Sequence, residues 1–114
     1  MSKPTLNDLA QALREFARER DWEQFHTPKN LAMALIVETA ELVEHFQWLT
    51  PQQSLELNPE KREQVSQELA DNLIYLTRIA DVLGIDLMDA AYKKMTANAA
   101  KYPADKAGHD AVDI

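Results

Sequence analysis

The prolines of this chain, together with Gly84, fall where helices must start or stop, and that punctuation leaves room for little except an all-helical fold. Thr27-Pro28 and Asn58-Pro59 put proline in the first helical turn, where its missing N–H is no loss. Thr50-Pro51 halts the helix opened at Pro28, at about Leu49, because the residue before proline avoids helical angles. Gly84 caps the helix opened at Pro59, and Pro103 ends the last one near Tyr102. Ahead of them all, Thr5 with Asp8 three residues on marks the start of LAQALREFARER, whose Leu9, Leu13 and Phe16 share a face. Asp86 and Asp89 open the last helix. Between Pro51 and Asn58 the sequence reads as a loop or short helical turn. No stretch alternates with period two, and no Asn-Gly or Asp-Gly hairpin signal occurs. The expectation is an all-α, four-helix bundle protomer.

A length of 114 residues suits one domain, expected over 1–114 with 103–114 as a polar tail that includes His109. Twelve basic residues face nineteen acidic ones, a net charge of −7 that argues against nucleic-acid binding, which needs clustered Lys and Arg. The absence of cysteine removes disulfides, zinc knuckles and thiol catalysis. Two glycines cannot make a phosphate-binding loop. The charged N-terminus does not read as a signal peptide, and the longest apolar run, LAMALIV, is too short to span a bilayer. A cytoplasmic protein with no membrane partner is expected.

The helix after Pro28 is unusual. Leu31, Met33, Leu35, Ile36, Val37, Leu42, Val43 and Phe46 leave almost no polar face, so a single small bundle cannot cover it, and a homo-oligomer is expected. Two carboxylates interrupt this apolar surface. Glu38 and Glu41 are three apart and share roughly one third of the circumference with Leu31, Ala34, His45 and Trp48. The helix after Pro59 carries an ordinary stripe of Val65, Leu69, Asn72, Leu76, Ile79, Ala80 and Leu83. It offers a matching acid pair, Glu68 and Asp71, continued along its length by Tyr75 and Arg78.

If these two helices pack antiparallel, four carboxylates meet, and only a cation among them relieves the repulsion. An all-oxygen set suits Mg²⁺ or Mn²⁺ better than zinc or copper. Acid pairs at this spacing are also common on solvated faces, and Glu15, Glu19, Glu44, Glu56, Glu60 and Glu63 read that way.

Two further groups carry polar chemistry. Trp22, Phe25, His26, Lys29 and Asn30 lie close together before and at the start of the second helix, with Trp48 at its far end. Rings with polar handles can sandwich a nucleobase, or can simply staple the first helix to the second. Lys94, Asn98 and Lys101 line one side of the last helix, with Tyr102 beside them. They can hold phosphate, or merely complement the helix dipole. His45 shares the face of the acids, as a neighbour of the site or as a core histidine.

Together these residues resemble the MazG-like, all-α nucleoside triphosphate pyrophosphohydrolases. The likeness lies in E38-x-x-E41, then E68-x-x-D71 after 26 intervening residues. RDWEQFHTPKNLAMALIVETAELVEHFQW, ELADNLIYLTRIADVLGIDL and KMTANAAKYP narrow it to the dCTP pyrophosphatase branch, in matching order from about Leu13 to Pro103. The resemblance implies that Glu38, Glu41, Glu68 and Asp71 bind magnesium. It implies a base pocket of Trp22, His26 and Trp48, with Phe25 as a further candidate. Tyr75, Lys94, Asn98 and Tyr102, with Lys101 as an additional candidate, would meet triphosphate or sugar. The family assembles as dimers or tetramers, so a dimer of dimers is the expected state. Val37 stands where many family members carry an additional acid, leaving one ligand fewer.

The activity implied is Mg²⁺-dependent hydrolysis of a dNTP, with dCTP or a modified pyrimidine favoured and dATP admissible, to dNMP and pyrophosphate. Glu38 or Glu41 would activate the water, in a house-cleaning role for the nucleotide pool. Two rivals differ in class. A di-iron carboxylate bundle needs an E-x-x-H pair on each of two helices, and the helix after Pro59 contains no histidine. A non-enzymatic helical oligomerisation or partner-binding module would need no metal at all.

Overall fold

The computed structural model describes residues 2–104 and divides after Gly84 into two units. The first holds α1 (Leu6–Glu19), a 3-10 turn (Glu23–Phe25), α2 (Pro28–Glu44), the short α3 (Pro51–Leu55) and α4 (Pro59–Leu83). The second contains α5 (Leu87–Lys101). No strand occurs among the described residues, so the all-α expectation holds. The expected tail lies, beyond Ala104, outside the described residues, as does His109.

Each helix starts where its cap chemistry dictates. Thr5 accepts from the Asp8 backbone N–H while the Asp8 carboxylate accepts from the Thr5 N–H, a reciprocal capping box. Thr27, Thr50, Asn58 and Asp86 each accept from the backbone N–H three residues on. Gly84 closes α4 in the left-handed region at φ 68°, which costs any other residue about 1 kcal/mol or more.

One boundary differs from expectation. The helix expected to reach Leu49 ends at Glu44. From His45 onward the backbone tightens into turns: the N–H groups of His45, Phe46 and Leu49 donate to carbonyls three residues back. Thr50 must be extended (ψ 162°) to cap α3 ahead of Pro51, and residues 45–49 absorb the change of direction. The stretch read as a loop or short turn contains α3.

Within the first unit α2 packs along α4, and α1 packs against the same helix. The core is small: Ala17, Leu31, Val65 and Ala80 are its buried apolar residues. Met33, Ile36, Val37 and Val43 of α2 are each more than half exposed. On α4, Leu69, Leu73, Leu76 and Leu83 are exposed as well, so the stripe expected to cover one side of a core is only partly buried. The first unit by itself therefore leaves a broad apolar face open.

Candidate functional site

The α2–α4 seam runs antiparallel, and its register can be read from four pairings. Leu31 and Tyr75 line one cavity. Thr39 Oγ1 donates to Asn72 Oδ1 at 2.7 Å. Glu38 and Glu41 meet Glu68. His45 Nδ1 lies 3.2 Å from Lys61 Nζ. An aromatic cavity and an acidic cluster thus occupy successive stretches of one seam. Tyr75 and Glu68 are two turns apart on α4, roughly 10 Å along its axis.

One carboxylate oxygen from each of Glu38, Glu41 and Glu68 lies within 4.8 Å of the others. Asp71 is outside that triplet but close enough for its charge to act on Glu38. Burial first, then the charges of Glu41 and Asp71, push the Glu38 carboxyl up to about 7. Oε2 of Glu38 and Oε2 of Glu68 are shut off from solvent with no hydrogen-bond partner among the described residues. Buried, unpartnered carboxylate oxygens are costly, and a hard cation coordinated by oxygen relieves both the desolvation and the repulsion. The residues present fit such an ion. Thr39 and Asn72 hold the cluster in register from between the acids: Asn72 Nδ2–H donates to the Glu68 carbonyl at 2.7 Å.

The cavity, of about 230 Å³, is lined by Leu13, Phe16, Trp22, His26, Leu31, Ile74, Tyr75 and Arg78. Local chain geometry delivers Trp22 to it. After α1, Asp21 takes a left-handed conformation at φ 57°. The Trp22 N–H donates to the Ala17 carbonyl and the Asp21 N–H to the Arg18 carbonyl, which together end the helix as a Schellman motif. That motif folds Trp22 back against Phe16, with ring centroids 5.7 Å apart and edge to face. The 3-10 turn then presents His26, its ring 6.1 Å from that of Trp22. Asn30 Nδ2–H fastens this loop by donating to the Phe25 carbonyl.

Trp22, His26 and Tyr75 therefore share one cavity. Phe25 (59 % exposed) and Trp48 (87 % exposed) do not line it, Trp48 standing in the turns beyond the end of α2. Lys94, Asn98 and Lys101 lie on α5, and Tyr102 caps it by donating its N–H to the Asn98 carbonyl at 2.7 Å. The Lys101 ammonium sits over the Tyr102 ring.

Sequence reasoning gave no pocket role to Leu13, Phe16 or Arg78. The signal for Arg78 was present: a cation beside Ile79 and Ala80 on an apolar stripe requires a buried partner, and Asp81 follows at helical spacing. Arg78 is 7 % exposed and bonds both Asp81 and His26.

An all-α chain whose paired helices set E-x-x-E against the E-x-x-D helix beside an aromatic cavity has the build of a MazG-type protein. The model of the MazG-like family matches residues 33–111, and the chain belongs to that family. It is 46 % identical over 107 residues to human dCTP pyrophosphatase 1, covering 90 % of this chain and 61 % of that protein. It is 44 % identical over 104 residues to the bovine dCTP pyrophosphatase 1, with 90 % and 62 % covered. The chain thus spans about three fifths of the length of the curated relatives it matches. Among solved structures, a pyrophosphatase from Archaeoglobus fulgidus superposes with a TM-score of 0.82 at 39 % identity, covering 90 % of this chain and 96 % of that one. No described helix is long and apolar enough to cross a membrane.

Proposed function

We propose that the protein is a Mg²⁺-dependent nucleoside triphosphate pyrophosphohydrolase that converts a dNTP, by preference dCTP or a modified pyrimidine, to dNMP and pyrophosphate. The observation that carries this reading is the conjunction on one seam of three converging carboxylates, two with orphaned buried oxygens, and an aromatic cavity. The names of the relatives support the substrate class.

In this reading Glu38, Glu41, Glu68 and Asp71 hold the cation. When bound, Mg²⁺ neutralises charge on the phosphate oxygens and makes a coordinated water more acidic. The chain's own residues do the rest. Trp22 and His26 receive the base, with Tyr75 on the seam between base and acids. One carboxylate of the first pair, Glu38 or Glu41, takes the proton of the water attacking the α phosphorus. Lys94, Asn98, Lys101 and Tyr102 meet the phosphates or sugar, with Lys94 balancing charge on the departing pyrophosphate.

The open apolar face of α2 and α4 is closed by further copies of the chain, as a dimer of dimers. The role is removal of surplus or non-standard nucleotides.

The test is product analysis on a panel of dNTPs and NTPs with Mg²⁺, with Glu38→Ala as control. Monophosphate and pyrophosphate from the wild type alone support the reading. Diphosphate and phosphate would overturn the cleavage position. An absence of turnover on every nucleotide would overturn the activity.

A further inference from the structure

His26 lines the cavity, and its ring is bonded to a chain of charged groups that the proposed reaction does not use. Arg78 Nε–H donates to His26 Nδ1 at 3.1 Å. Arg78 Nη1–H donates to Asp81 Oδ2 at 3.2 Å. Asp81 in turn accepts two bonds from Arg14, from Nε–H at 3.1 Å and from Nη2–H at 2.7 Å. This relay joins α1, α4 and the loop before α2, and Arg78 is buried within it.

The chemistry of the donor decides the state of the acceptor. A guanidinium has five N–H donors, no lone pair to offer and no accessible neutral form. The imidazole nitrogen facing it must therefore be bare. A neutral histidine carries one ring proton, so with Nδ1 bare the proton sits on Nε2.

We propose that Arg78 is a positioning residue: braced by Asp81 and Arg14, it holds His26 as the Nε2–H tautomer, so that His26 meets a bound base as a hydrogen-bond donor. The ligand class this selects is a base presenting a carbonyl oxygen or bare ring nitrogen to the histidine. This consequence rests on the reading of the cavity as a base pocket. The tautomer itself does not.

Two observations support a stable lock. Asp81 accepts two bonds from Arg14 as well as one from Arg78, so the carboxylate that braces Arg78 is itself held in place. Burial, and then the Arg78 charge, also lower the His26 pKa, which favours the neutral ring. The charged groups of this relay are Arg78 and Asp81 from α4 and Arg14 from α1, while Trp22 contributes an uncharged ring.

The experiment is ring ¹⁵N NMR on the full chain, with His26 assigned by loss of its signals in His26→Gln, followed over about pH 5.5 to 8. The neutral wild-type ring should show a bare Nδ1 and a protonated Nε2, and should titrate below the ordinary imidazole range. Arg78→Met should give mixed tautomers and a titration nearer the ordinary imidazole range. Its KM for the nucleotide should rise about tenfold with kcat within about twofold, the pattern of one lost binding contact. Arg78→Gln, whose amide can still donate, should restore part of both effects, and it carries the test if Arg78→Met does not fold.

A protonated Nδ1 in the neutral wild-type ring, or an unchanged tautomer in Arg78→Met, overturns the proposal. A loss confined to kcat overturns the binding role. If the wild type binds no nucleotide, the base-pocket reading fails with the donor role, while the ring shifts still decide whether Arg78 sets the tautomer.

Discussion

Replacing Glu38 by glutamine should stabilise the metal-free protein, and should do so only above mildly acidic pH. Glu38 has an ordinary value of 4.5 and is pushed up to about 7 in the fold. The folded state therefore keeps a proton that the unfolded chain has lost. Stability from this group is present below the unfolded value and is lost as pH rises through the folded one. The interval corresponds to on the order of 3 kcal/mol at pH 8. Glutamine keeps the shape of the protonated acid and cannot ionise, so Glu38→Gln escapes this cost.

Thermal melts in EDTA should show Glu38→Gln exceeding wild type by up to roughly 10 °C at pH 8, with little difference near pH 4.5. His26, whose pKa is lowered by burial and by Arg78, moves stability in the opposite direction, and comparing variant with wild type cancels it. Millimolar Mg²⁺ should reverse the order at pH 8, raising the wild type and leaving the variant nearly unmoved. A variant destabilised equally at both pH values in EDTA would refute the account of strained acids. A wild type indifferent to Mg²⁺ would refute the assignment of the cluster as a cation site.

Other perturbations probe the rest of the seam. Trp22→Ala should weaken nucleotide binding by about ten- to a hundredfold in titration calorimetry, the scale of one stacked base, with a smaller change in kcat. Thr39→Val removes the bond to Asn72 and should lower stability by about 1 kcal/mol in denaturant melts while weakening Mg²⁺ binding through lost register. Ile36→Arg places a charge on the open face of α2 and should shift the protein to monomer in light scattering if copies of the chain cover that face. Unchanged assembly would remove α2 from the interface.

Local chemistry was legible in the residues themselves. Capping boxes, N-terminal prolines and Gly84 act within three or four residues, so the starts of all four long helices and the end of α4 could be read directly. The acid pairs were legible for the same reason, since a three-residue spacing fixes a shared helix face before any packing occurs. The end of α2 was not, because nothing inside HFQWL forbids a helix. The stop comes from the tightened turns that bring the backbone to Thr50 and α3.

The relation between distant elements was decided by tertiary structure alone. Composition allowed Glu38, Glu41 and Glu68 to meet, but the antiparallel register of α2 on α4, tied by Thr39 and Asn72, brings their oxygens together. His26 and Arg78 stand 52 residues apart, and their bond exists only because α1, α4 and the loop before α2 close on one cavity. A sequence determines which faces its helices have to offer. Which faces meet, and which acid is thereby left holding a proton, depends on burial and on charges from other elements, and these arise only when the helices pack.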